Sequence, residues 1–271
     1  MTRVAVIGGG QIGEALIRGL LESGWTGGDV VVVGRSPDRV AALGQRLGVR
    51  ATADAAEAAR ASDLIVVAVK PGDIDGVLSG LDAAHMGAGH DRVLVSLVAG
   101  VSIAQLDRGL PPGTPTVRAM PNTPMLVRQG ITALAANSYV SAEQLGRVTR
   151  MLSTVGKVVV VEESDLDAVT AVSGSGPAYF FAIAEAMVEA AVHLGLPHPV
   201  AVRSVTQTML GSAALLQSSP HSAPQLRAAV TAPAGTTAAA LGELERRGLR
   251  STLHDALAAA RQRSMEYGTT A

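Results

Sequence analysis

The chain has 271 residues, nearly half of them hydrophobic, and a formal net charge of −1. That length suits one large domain or two, and a balanced charge without a basic run excludes a surface built for nucleic acid or anionic lipid. The absence of cysteine excludes a disulfide framework, a thiol nucleophile and a thiolate zinc site, and no other residue set points to a metal.

No apolar run approaches the roughly 18 residues of a membrane span. An apolar strand so close to the first residue leaves no room for a leader peptide. A soluble, cytoplasmic protein is expected.

The first strand is the run from Val4 to Ile7. Gly8-Gly9-Gly10-Gln11-Ile12-Gly13 follows at once, and apolar residues then recur at helical spacing over 14–21. Gly8, Gly10 and Gly13 make G-x-G-x-x-G between a strand and a helix. In a dinucleotide-binding turn the first glycine makes the bend, the second lets the backbone approach a pyrophosphate, and the third lets helix and strand pack closely. The amides opening the helix face the anion. A structural glycine turn in another α/β fold would use the same residues.

A second apolar strand, 30–33, ends in Gly34-Arg35-Ser36-Pro37. An NAD-binding unit places an acidic side chain here, on the ribose 2′-hydroxyl. Arg35 and Ser36 stand there instead, and a guanidinium pairs with a 2′-phosphate. NADPH is therefore favoured over NADH; the plain alternative is a solvated surface arginine.

Helices are expected at 37–47, 54–61 and 74–81, with strands at 49–51 and 64–69. The latter strand runs into Ala68-Val69-Lys70-Pro71, and α/β sheets place ligands at the carboxyl ends of strands. A strand at 93–97 ends in Val98-Ala99-Gly100, and one at 116–120 in Pro121-Asn122-Thr123-Pro124. Further elements are a short helix from 103, a possible strand at 131–135, a helix at 142–153 and a last strand at 157–161. Repeated strand–helix alternation with apolar strands implies an α/β domain with a doubly wound, mostly parallel sheet.

After Glu162 no strand pattern remains, so a second, all-helical domain is expected. The division is 1–162 and 163–271. Ser173-Gly174-Ser175-Gly176-Pro177 reads as a breaker between a helix at 166–172 and a long one at 178–194. That helix and the next, 199–217, are apolar almost all round and must be buried on most faces. The surplus apolar surface calls for a partner subunit. Shorter helices follow at 226–230, 238–247 and 253–265. The loop Thr231-Ala232-Pro233-Ala234-Gly235-Thr236-Thr237 precedes one of them. Its amides, at the positive end of a helix dipole, suit a carboxylate, although Thr236 or Thr237 could simply cap that helix.

These blocks, in this order, resemble the pyrroline-5-carboxylate reductase family over essentially the whole length. The motifs that carry the resemblance are 7–13, 68–71, Ala99-Gly100-Val101-Ser102, Met120-Pro121-Asn122-Thr123-Pro124, Ser173 to Tyr179 and Val230 to Thr237. The resemblance implies a Rossmann domain followed by an all-helical dimerisation domain. The activity implied is reduction of 1-pyrroline-5-carboxylate to L-proline by NADPH or NADH. The assembly implied is a homodimer, often multiplied into a decamer.

Onto this sequence the resemblance carries cofactor contacts at Ile7, Gly8, Gly9, Gly10, Gln11, Ile12, Gly13, Arg35, Ser36, Ala68, Val69, Lys70, Pro71, Val98, Ala99, Gly100 and Asn122. It carries substrate contacts at Ser175, Val230, Thr231, Ala232, Pro233, Ala234, Gly235, Thr236 and Thr237, with Thr237 the candidate to meet the imine nitrogen. The chain departs from the family's serine-proline-glycine-glycine loop at Ala232 and Ala234. Two other functions remain open: a reductase of the same architecture acting on another imine or a small keto acid, and a non-catalytic NADP-binding regulator.

Overall fold

The computed structural model describes residues 2–81, 86 and 91–270. The described chain packs as two units, one up to Ser175 together with the residues from Ala260 on, the other Gly176–Ala259.

The first unit is built on one mixed sheet. Its strands are β1 (Val4–Ile7), β2 (Val30–Val33), β3 (Arg50–Thr52), β4 (Leu64–Val67), β5 (Val93–Ser96), β6 (Thr116–Met120), β7 (Gly130–Ala136) and β8 (Gly156–Val160). The order is β3-β2-β1-β4-β5-β6-β7-β8. Strands β1 to β6 are parallel, with Val4 opposite both Val30 and Leu64. From β1 the chain first winds outward to β3, then returns to place β4 on the other side of β1. The switch point therefore lies between β1 and β4, where such sheets bind ligands.

Strand residues alternate between two cores because successive side chains point to opposite faces. Val4, Val6, Val30, Val32, Leu64 and Val66 face α1 (Gln11–Glu22), α2 (Pro37–Leu47) and a later helix, 142–152, through Leu16, Leu20, Leu43, Val148 and Met151. Ala5, Ile7, Val31, Val33, Ile65 and Val67 face α3 (Ala55–Arg60), α4 (Ile74–Leu78) and α5 (Ile103–Arg108) through Ala59, Ile74, Leu78 and Leu106. Both faces are covered, so the central strands are apolar throughout.

The direction of β7 departs from simple alternation. It pairs with β6 antiparallel. The connection carries only a 3-10 turn, Thr123–Val127, too short for the crossover that a parallel partner needs. Helix α6 (Ala142–Leu152) then returns the chain, so that β8 lies parallel to β7. Two expected elements end two or more residues short of their apolar runs. The helix expected at 74–81 closes at Leu78, and the strand expected at 64–69 ends at Val67, leaving Ala68 to Lys70 as loop.

The expected breaker at 173–177 is a π-turn. Helix α7 (Leu166–Val169) widens into Thr170–Gly174, and α8 (Gly176–His193) resumes after Ser175. The second unit continues with α9 (His198–Ser218), α10 (Ala223–Ala229), α11 (Thr236–Arg246) and the start of α12 (Leu249–Thr270). Among its described residues only Gly176, Ala201 and Val205 are buried. Phe180 is 61% exposed, Phe181 68% and Leu194 86%. A helical unit with so little interior does not stand alone in water. No described helix is long and apolar enough to cross a membrane.

Candidate active site

The glycine turn sits at the switch point, and each of the three glycines of its G-x-G-x-x-G motif has a separate reason to be one. Gly8 has φ 114°, which favours glycine. Its N–H donates to Val33 O at 2.9 Å, and a Cβ there would run into the carbonyl of Ala68. At Gly13 a Cβ would collide with the Gly8 carbonyl and press on Val6. Gly8 and Gly13 thus fasten the turn to β4 and α1 to β1. Gly10 is the opposite case: a Cβ would meet nothing within 4 Å. That open space above the backbone is what a pyrophosphate needs, so these residues fit a dinucleotide. Gly10 caps α1, and the first helical bond runs from Glu14 N–H to Gly10 O at 2.8 Å. The amides of Gln11, Ile12 and Gly13 therefore open the helix without intrahelical acceptors.

Glu14 in that first turn would oppose an anion if it stood alone. Arg46 and Arg18 both donate to it, at 2.7 and 2.8 Å. The Arg46 hydrogen bond leads in holding its carboxyl down to about 2, and Arg18 adds to it against the cost of burial.

The neighbouring strand ends form the rest of the crevice wall. Ala68 N–H donates to Ile7 O at 2.8 Å, tying the loop after β4 to β1. Lys70 is exposed and precedes a 3-10 turn, Pro71–Asp73. Ser36 caps α2 without a side-chain bond. Arg35 Nη1 donates to Asp73 Oδ1 at 2.8 Å. Beyond β5, Val98 is buried, Ala99 is exposed and Gly100 takes φ 77°.

Asn122 does positional work with both ends of its side chain. Nδ2 donates to Ser173 O at 3.1 Å, and Oδ1 accepts from Ile131 N–H at 2.9 Å. A Cβ on Gly174 would lie 2.7 Å from Met120 Cε. The blocks 120–124 and 173–175, some fifty residues apart in the chain, are thus brought together. Ser175 N–H closes the π-turn on Thr170 O at 2.8 Å, a helical irregularity frequent at functional sites.

In the second unit, Gly235 N–H donates to Ala232 O at 3.0 Å, and Ala234 has φ 57°. Proline at the second position and positive φ at the third are the marks of a type II turn. Gly235 is the cap of α11, and no side chain caps the helix. Thr236 and Thr237 are its first two helical residues, so the capping alternative for them fails. The amides of Thr236, Thr237 and Ala238 open the helix, and Thr231 Oγ1 is spent on Arg227 O at 2.6 Å. Val230 is exposed, as are Ala232 and Pro233.

Sequence reasoning missed Asp73. Its signal is visible only once strand order is known: a carboxylate just past one strand end, across β1 from an arginine at another. Among the described residues no group of three or more metal-ligating side chains occurs.

The profile of the family described as pyrroline-5-carboxylate reductase dimerisation matches residues 163–267. That of the family described as NADP oxidoreductase coenzyme F420-dependent matches residues 3–100. The chain is 47% identical over 290 aligned positions to pyrroline-5-carboxylate reductase of Mycobacterium tuberculosis H37Rv, covering 100% of this chain and 98% of that one. Among solved structures, a pyrroline-5-carboxylate reductase of Coxiella burnetii superposes with a TM-score of 0.94 at 36% identity, covering 98% of each chain. Pyrroline carboxylate reductase of Plasmodium falciparum, solved with NADP bound, superposes with a TM-score of 0.86 at 28% identity over 98% of each chain. With relatives this similar over its whole length, the chain belongs to the pyrroline-5-carboxylate reductase family.

Proposed function

We propose that the protein reduces 1-pyrroline-5-carboxylate to L-proline with NADPH, as a cytoplasmic enzyme of proline synthesis. The observation that carries this reading is the turn at the β1/β4 switch point, shut to a Cβ at Gly8 and Gly13 and open at Gly10. The NADP bound in the Plasmodium relative supports the cofactor. The amides from Gln11 to Gly13 hold the pyrophosphate, with Ile7, Gly9 and the backbone of Ala68 to Pro71 along its path. Arg35 and Ser36 meet the 2′-phosphate. Val98, Ala99 and Gly100 line the nicotinamide end together with Asn122, whose side chain is itself fixed by Ser173 and Ile131. When bound, the reduced nicotinamide supplies the hydride that the imine carbon accepts.

The substrate carboxylate rests on the amides opening α11, in the turn Ala232 to Gly235, flanked by Val230, Thr231 and Thr236. The Thr237 hydroxyl hydrogen-bonds the ring nitrogen and fixes which face of the imine is presented. A cyclic imine that is already protonated on arrival needs no strong general acid, so the role given to Thr237 is orientation. Ser175, at the end of the π-turn, contributes a second hydroxyl to the substrate. The domain division at 162/163, the homodimer and its multiplication into a decamer belong to the same reading, with the dimerisation profile from 163 in support.

Steady-state oxidation of NADPH tests it. Turnover is expected with 1-pyrroline-5-carboxylate and not with small keto acids. Tight NADPH binding without turnover on any imine would sink the enzyme reading.

A further inference from the structure

The Arg35–Asp73 ion pair crosses the mouth of the dinucleotide crevice. Arg35 lies two residues beyond β2, Asp73 six residues beyond β4, and β1 runs between those strands. Arg35 Nη1 and Asp73 Oδ1, 2.8 Å apart, therefore meet over the carboxyl end of β1, where Gly8 to Gly10 turn. The Arg35 side chain is 86% exposed and that of Asp73 29%. Asp73 stands at the cap position of α4 but makes no side-chain cap bond, so its carboxylate is not spent on holding the helix.

We propose that Asp73 is a specificity-determining residue that competes with the 2′-phosphate of NADPH for Arg35 and so narrows the preference for NADPH over NADH. The inference rests on Arg35 being the residue that meets that phosphate. An exposed ion pair is weakly held in water, so an incoming phosphate dianion can take the guanidinium. It then lies beside the carboxylate that it displaced, and like charges a few ångströms apart repel even in water. NADH carries a hydroxyl at the same position and leaves the pair intact, so the opposition falls on NADPH alone. Asp73 also holds a long side chain in place, which acts with the opposite sign. That gain is small for a guanidinium still mostly in solvent, and the anion holding it is the one to be displaced.

The test compares D73N, R35A and the double variant with the parent protein. Dissociation constants for NADPH and NADH are measured alongside KM and kcat with each. Adenosine 2′,5′-bisphosphate and AMP serve as probes that isolate the 2′-phosphate. For D73N, binding of NADPH and of the bisphosphate should tighten roughly three- to tenfold, while NADH and AMP stay within about twofold. The gain should shrink at high salt and in the R35A background. Weaker NADPH binding by D73N, no change, or an equal shift for both cofactors would overturn the proposal; the last is the signature of a purely structural residue. Should R35A leave the NADPH-to-NADH ratio untouched, the reading of Arg35 falls and this proposal with it. If R35A lowers the ratio while D73N does not raise it, only the role given to Asp73 is wrong.

Discussion

Thr237 is the second helical residue of α11, and its hydroxyl does not cap the helix. Thr237→Ala should therefore leave the fold and NADPH affinity unchanged. Turnover should fall by the equivalent of about 1–3 kcal/mol, the range for losing a hydrogen bond to a charged or buried group; circular dichroism, NADPH titration and kcat check it. Ala234, with φ 57°, holds a conformation that costs an L-residue about 1–2 kcal/mol. Ala234→Gly removes that strain but loosens the unfolded chain by about 0.4–1 kcal/mol. Denaturant midpoints should barely move, and any effect should show in the KM for the imine. A branched side chain at Gly235 is another matter, because even its Cβ would come 3.1 Å from Ala232 O. Gly235→Val should raise that KM and weaken inhibition by proline analogues in parallel; unchanged values would place the carboxylate elsewhere. At this scale the sequence was legible where partners are local. The spacing of Gly10 and Gly13 encodes contacts made within a strand and a turn, whereas Gly8 was legible only as part of the motif, its partners being Val33 O and the Ala68 carbonyl at the ends of other strands. Asn122 was legible as a strand-end residue only, since its partner carbonyl at Ser173 lies 51 residues away. Asp73 was not legible at all, because its meaning depends on which strand lies beside which.

Elements hold the site by a few contacts between glycines and ion pairs. Gly10→Ala and Gly13→Ala should separate binding from folding. The first adds a methyl group to open space, so the melting temperature should hold while NADPH affinity falls. The second drives a methyl group into the Gly8 carbonyl. Parting α1 from β1 should cost about 1–3 kcal/mol or more, visible in thermal melts before any ligand is added. Helices α1 and α2 are tied by Arg46 and Glu14 at 2.7 Å. The folded carboxyl titrates at about 2, below the roughly 4.3 of an unfolded glutamate. Its stabilisation is therefore complete above the unfolded value and is lost as pH falls toward about 2. Glu14→Gln should be less stable than the parent at neutral pH, and the two should converge in strong acid. A gap independent of pH in denaturant titrations would mean that charge is not the cause. Element identity was largely readable from apolar runs and helical spacing. The antiparallel β7 was not, because connection length rather than strand composition decides direction. The π-turn at 170–174 escaped for a related reason: glycines and serines mark an interruption without saying whether the helix stops or widens.

For the whole molecule, the exposed apolar surface of α8 and α9 outweighs anything that the second unit buries by itself. Light scattering at micromolar concentration should give at least a dimer, and a monomeric mass would contradict the assembly. Dependence on a partner was legible in the sequence, since 178–194 and 199–217 are too apolar for water. Which side chains stay uncovered within one chain was not, because that depends on how the helices turn against each other. With only Gly176, Ala201 and Val205 buried among the described residues of that unit, completing its fold and finding a partner are one event. The melting midpoint should rise with protein concentration, as mass action requires when association stabilises the native state. A consequence follows for mixed populations. Two differently tagged versions of the protein should form hybrids readily when made in the same cell. Purified separately and then combined, they should trade subunits only as fast as the helical unit unfolds, so that each assembly keeps the membership it acquired when its chains first folded.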